Sequence, residues 1–212
     1  MARTALLAGA TGAVGGFVLQ RLLADPDYKS VTALVRRAPA QKNPKLRVQQ
    51  TDFDLLDAQH ALFAVDDVFC CLGTTLRSAG SKAAFERVDY HYVVKCAELA
   101  AQAGARQFLL ISAIGASAKA SAFYSQVKGR AEEAVKQQKI PGIHILQPSL
   151  LLGPRAESRP GEHLAKMLAP ALSLITRGPL AKYRPIQAEE VARRMVDYAK
   201  SDQRGVHVHH LG

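Results

Sequence analysis

One glycine-rich stretch near the start, GATGAVGG (residues 9–16), constrains the fold of this chain more than any other feature. An apolar run, RTALLA (3–8), leads into it, and a helix-patterned run, VGGFVLQRLLA (14–24), leads out. A strand that turns straight into a helix opens a strand–helix–strand unit, whose crossover delivers a parallel neighbour. Gly9, Gly12 and Gly15 recur at intervals of three. Gly9 suits a tight turn, Gly12 lets the backbone approach a diphosphate, and Gly15 lets the helix press on the strand. The amides that open the helix, with the positive end of its dipole, offer a phosphate site. Gly9, Thr11, Gly12, Ala13, Val14 and Gly15 are therefore candidates for dinucleotide binding.

The alternation continues along the chain. SVTALVR (30–36) and LRVQQ (46–50) read as the second and third strands, followed by a short helix at 57–64. DVFCCLG (67–73) is a fourth strand, continuously apolar as buried parallel strands are. Residues 82–103 are expected to be one long helix, with Phe85, Val88, Tyr92, Cys96 and Leu99 facing inward at spacings of three and four. A fifth strand (106–112), a helix (122–139) and a sixth strand (142–148) follow. Residues 149–212 are less regular, with helices expected near 161–169 and 188–200 and a last short strand. A length of 212 residues, 48% of them hydrophobic, suits a single domain (1–212). The expected fold is α/β: a doubly wound, mainly parallel sheet with helices on both faces and a small C-terminal substrate region. Residues 149–185 are read as its substrate or lid segment.

Composition removes other classes. No apolar run approaches the ~18 residues of a membrane span, and the first residues lack a signal-peptide pattern. The expectation is a soluble, cytoplasmic protein. Three cysteines make neither a disulfide framework nor a metal site, and Cys70 and Cys71, adjacent on a strand, face opposite ways. His207, His209 and His210 lie in a terminal strand pattern, and a zinc site there would need a further ligand that the spacing does not announce. No metal is expected. The net charge of +10 is dispersed, and only 6% of residues are aromatic. That favours a positively biased cleft for a small polyanion over a nucleic-acid surface.

The end of the second strand distinguishes between the two nicotinamide dinucleotides. A site for NAD places a carboxylate there to meet the ribose 2′-OH, whereas a site for NADP offers a cation. This chain has ALVRRAP. Arg36 is placed for the 2′-phosphate, and Arg37 either helps it or stacks on adenine. The expected cofactor is NADP(H). Asp52, with Phe53 beside it, is a candidate for the adenine amino group. Leu72, Gly73 and Thr74, at the end of the fourth strand, should pass close to the cofactor ribose.

Tyr124 and Lys128 are one helical turn apart and share a face. A nearby ammonium favours the phenolate of a tyrosine, which could then exchange a proton with a carbonyl oxygen as hydride moves. Lys128 would also grip the nicotinamide ribose. Ser112, at the end of the fifth strand, could hydrogen-bond the substrate oxygen.

GATGAVGG, LVRR, FCCLGTT, LLISAIGA, YSQVKG, QPSLLLGPR and ESRPGE occur in that order. Together they resemble the short-chain dehydrogenase/reductase superfamily in its extended or atypical branch, over essentially the whole chain. The resemblance implies a Rossmann fold, bound NADPH and an oxidoreductase activity, and it gives Ser112, Tyr124 and Lys128 the roles just described. It also implies that Pro148 lies near the nicotinamide, with Leu150–Leu152 as an apolar wall. Substrate contacts would come from 149–185, where Arg155, Arg159 and Glu162 are polar candidates. One position departs from the pattern. The superfamily often carries an Asn on its fourth helix that supports a proton relay, and this chain offers Asp89. The neighbouring His91 reads either as a substitute for that Asn or, in preference, as a helix-surface residue. Two functions stand at this point. One is NADP(H)-dependent hydride transfer with a small carbonyl or alcohol. The other is an NADPH-binding sensor or regulatory protein with a protein partner and little or no turnover. The oligomeric state, monomer or homodimer, stays open.

Overall fold

The structure, a computed structural model, describes residues 2–36, 42–152 and 183–212. Arg37, Arg155, Arg159, Glu162, the helix expected at 161–169 and most of the 149–185 segment lie outside the described residues. The first half runs β1 (Arg3–Ala8), α1 (Ala13–Ala24), β2 (Tyr28–Val35), β3 (Leu46–Gln50), a 3₁₀ stretch (Phe53–Phe63) and β4 (Asp67–Cys70). Short helices α2 (Leu76–Ala79) and α3 (Lys82–Glu86) follow, then a π-turn (Arg87–His91), α4 (Tyr92–Gln102) and β5 (Gln107–Ile111). The chain continues through α5 (Phe123–Lys136), β6 (Gly142–Pro148), β7 (Leu151–Leu152), β8 (Ile186–Gln187), α6 (Ala188–Lys200) and β9 (Gly205–Leu211).

Seven strands form one sheet in the order β3-β2-β1-β4-β5-β6-β9, and every neighbouring pair is parallel. The order reverses between β1 and β4. This is the doubly wound, Rossmann-like fold, and its ligand crevice lies beyond the carboxyl ends of the strands at that reversal. Alternation along each strand divides the core in two. Leu7, Phe69, Leu109 and Leu146 pack with α1 and α6. Leu6, Val68, Phe108 and Ile145 pack with α4, α5 and the 3₁₀ stretch. Cys70 joins the second layer and Cys71 leans on the first, on opposite faces as adjacent strand residues must be.

At the amino ends of the strands, away from the crevice, Asp67 is fully buried. It accepts hydrogen bonds from Arg3 Nε and Nη2 and from the Tyr28 hydroxyl, each 2.7 Å long. This cluster ties β1, β2 and β4 together on the side opposite the site.

Two expectations need correction. The fourth strand stops at Cys70, because Cys71–Gly73 leave the ladder to cross the crevice; only the Cys71 amide still bonds back to Ala8 (2.8 Å). The helix expected at 82–103 is interrupted by the π-turn. Asp89 and Val93 are buried, whereas Val88 and Tyr92, expected to face inward, are only partly covered.

Candidate functional site

The turn between β1 and α1 is built for close approach. Gly9 has φ +87, a left-handed conformation that suits glycine. A Cβ on Gly15 would overlap the Gly9 carbonyl oxygen, and that oxygen accepts from the Gly12 amide at 3.0 Å. Gly12 caps α1, whose first turn carries no acidic residue, so nothing opposes the positive end of the helix dipole. Thr11 and Gly12 are exposed, Ala13 is partly covered, and Val14 and Gly15 are buried against the sheet. The residues expected to cradle a diphosphate therefore form one bare turn at the reversal of strand order.

Arg36 stands exposed just past β2, its carbonyl accepting from Gln50 Nε2 at 3.1 Å. No carboxylate pairs with its guanidinium among the described residues. Asp52 is exposed and caps the 3₁₀ stretch, accepting from the Asp54 amide at 3.0 Å. Phe53, by contrast, is buried against the Tyr92 ring (centroids 5.5 Å apart) and serves the core. Across the crevice, Leu72 is buried and Gly73 exposed. A Cβ on Gly73 would come within 3.3 Å of Asp89 Oδ1 and 3.5 Å of Lys128 Nζ.

Lys128 projects from α5 into this corner, almost fully buried. Its ammonium lies 2.8 Å from Asp89 Oδ1, while Asp89 Oδ2 accepts from the Thr74 amide at 2.8 Å. Burial pulls the lysine pKa down, but Asp89, with Tyr124, more than offsets this, and the net direction is upward. Tyr124, one turn earlier, is exposed, with its ring 5.6 Å from Phe85.

Ser112 is buried at the end of β5, and its hydroxyl donates to Glu132. Gln147 Nε2, at the end of β6, donates to both oxygens of Glu132 at 2.9 Å. The site thus contains a buried carboxylate that the motif reading did not include. Glu132 lies four residues beyond Lys128 and eight beyond Tyr124, on the same helical face, so its spacing was a usable signal. Pro148 ends β6 and its carbonyl accepts from the Ile114 amide at 3.0 Å. Of the expected apolar wall, Leu150 is exposed, while Leu151 and Leu152 pair with Ile186 and Gln187 as β7 with β8. His91 is on the helix surface, edge-on to Tyr90. Among the described residues no three His, Cys, Asp or Glu side chains converge on a point that could hold a metal.

A family model described as NAD(P)H-binding matches residues 9–202, and the chain belongs to that family. It is similar to protein HTATIP2 of Rattus norvegicus, at 39% identity over 168 residues, covering 77% of this chain and 69% of that protein. It is also similar to "Protein FMP52, mitochondrial" of Lodderomyces elongisporus, at 30% identity over 97% of this chain and 90% of the relative. The corresponding protein of Emericella nidulans is 33% identical over 82% and 78%. Among solved structures, MoeE5 in complex with UDP-glucose and NAD superposes with a TM-score of 0.72 at 17% identity, covering 97% of this chain and 74% of that one. A UDP-N-acetylglucosamine 4-epimerase from Methanobrevibacter ruminantium gives 0.74 at 16% identity, covering 99% and 77%. These two likenesses establish the fold. The relatives overturn one expectation: the fungal proteins are named mitochondrial, so the cytoplasmic assignment does not stand.

Proposed function

We propose that this protein binds NADPH in preference to NADH and carries out hydride transfer between NADP(H) and a small carbonyl or alcohol substrate. The observation that carries the reading is the convergence, at one reversal of strand order, of a bare glycine turn, Gly73 and the buried Lys128 ammonium. The residues fit the cofactor. Nothing acidic opposes a phosphate at α1, and the cation at the end of β2 has no competing carboxylate among the described residues. When bound, NADPH supplies the hydride. Gly9–Gly15 would hold its diphosphate, Arg36 its 2′-phosphate, Asp52 its adenine, and Leu72–Thr74, Lys128 and Pro148 its nicotinamide half. Tyr124 would pass its hydroxyl proton to the carbonyl oxygen, with Ser112 beside that oxygen.

A second reading, an NADPH-binding regulator with little turnover, is favoured by one observation. The Ser112 hydroxyl spends its proton on Glu132 and is not free to donate to a substrate. Fluorescence titration and single-turnover oxidation of bound NADPH against a set of carbonyl compounds separate the two. We expect Arg36→Gln to reduce the preference for NADPH at least about tenfold, the equivalent of one lost charge-assisted hydrogen bond. Tyr124→Phe should slow cofactor oxidation about a hundredfold or more at unchanged NADPH affinity. If the protein binds NADPH but no carbonyl consumes it, the regulator reading prevails. If it binds no NADPH, both fail.

A further inference from the structure

The residue that departs from the family pattern also has the most definite geometry in the crevice. We propose that Asp89 is a positioning residue that sets the charge of the Tyr124–Lys128 site, holding the lysine ammonium with one oxygen and the Thr74 amide with the other. Its significance for catalysis rests on the function proposed above, but its geometry and its test do not.

Three observations support the assignment independently. First, Asp89 lies within the π-turn and is fully buried at the crevice, and such turns are frequent at functional sites. Second, its two oxygens have different partners on different elements, Lys128 on α5 and Thr74 after β4, each at 2.8 Å. Third, the pair closes against Gly73, where a methyl group would press on Asp89 Oδ1 and touch the ammonium. The groups that bear on Lys128 from the surrounding elements are Asp89 on the π-turn, Tyr124 on its own helix and Cys70 on β4. Asp89 is the one among them in contact as a carboxylate.

The consequence is electrostatic. A lone buried ammonium one turn from Tyr124 would favour its phenolate strongly. Paired at 2.8 Å with Asp89, the ammonium presents a short dipole in place of a full charge, and its field at the phenol is much reduced. An asparagine could still accept from the Thr74 amide through its one carbonyl oxygen, but it would offer the ammonium no carboxylate and leave its full positive charge. An aspartate offsets that charge, which suits a tyrosine that gives a proton to a carbonyl oxygen better than one that removes a proton from an alcohol.

Tyrosinate absorbance measured against pH in the cofactor-free protein tests this, with the Tyr124 transition isolated by subtracting the matching Tyr124→Phe variant. Asp89→Asn should move that transition to lower pH by about one unit or more, because it unmasks the ammonium. Lys128→Met should move it to higher pH, and the double variant should return it close to its original position. An unmoved Tyr124 transition in folded Asp89→Asn overturns the proposal, as does the same downward movement when Lys128 is already Met. Should Asp89→Asn fail to fold, the comparison of Lys128→Met with the double variant decides. A higher transition in the single variant supports the assignment, and equal transitions overturn it. Absence of NADPH binding in the unmodified protein would count against the proposed function alone, so the two failures are distinguishable.

Discussion

The stack of imidazoles at the β6–β9 edge should make this fold acid-sensitive, and its size can be worked out. His144 on β6 lies opposite His207 on β9, with ring centroids 5.0 Å apart. His209 lies 5.3 Å away on the same face, its Nε2 3.0 Å from His144 Nδ1, and stacks on the Tyr198 ring of α6 at 3.8 Å. His144 is fully buried, and its Nε2 has no partner among the described residues. Burial, with the nearby His209 and His207, pushes its pKa from 6.5 down to about 4, and His209 is lowered by burial and by His207. The sign follows from proton counting. Between those values the unfolded chain binds a proton that the folded chain refuses, so stability falls as pH falls. The loss from His144 alone is about 2 kcal/mol near pH 5 and about 3 kcal/mol near pH 4, and nothing is lost above about pH 7. Against a total of roughly 5–15 kcal/mol that is a large share. The measurement is urea unfolding of the natural chain and of His144→Phe, which keeps a ring in the stack and removes the titration. The natural chain should lose about 2 kcal/mol more than the variant between pH 7 and about pH 5. Parallel pH profiles for the two proteins would refute the reasoning.

Two further outcomes follow from close contacts elsewhere. Gly15→Ala places a methyl group on the Gly9 carbonyl, which is backbone and cannot yield cheaply, so α1 must shift away from β1; NADPH affinity by fluorescence titration should fall at least about tenfold, and unchanged affinity would remove the close-packed turn from the argument. Arg3→Met leaves the buried Asp67 carboxylate with Tyr28 and no compensating cation; denaturant unfolding should show a loss of about 3–5 kcal/mol, and a loss under about 1 kcal/mol would show that the cluster is not an essential tie.

What was legible in the sequence and what was not divide along a physical line. Gly9, Gly12 and Gly15 could be read because a left-handed turn and a helix pressed on a strand are local demands, met by residues within a few positions. The central strands β1, β2, β4, β5 and β6 could be read for the same reason, since a buried parallel strand declares itself by its own apolar run. The π-turn at 87–91 could not be read. A 3.6-residue template applied to 82–103 admits Val88 and Tyr92 as readily as Asp89 and Val93, and only the packed structure shows that the second pair is the buried one. Ser112 was visible as a residue at the right place, but the acceptor of its proton, Glu132, lies on another element, and spacing alone names no partner. Lys128 and Asp89 form the sharpest case. Each was visible separately, one as a tuning ammonium and the other as a departure, yet their 2.8 Å contact was not. The fold can be read because its demands are mostly local. The charge of the site is a sum over pairs from different elements, and in this crevice the pair that matters joins Lys128 on α5 to Asp89 on the π-turn, about forty residues apart in sequence on no shared template.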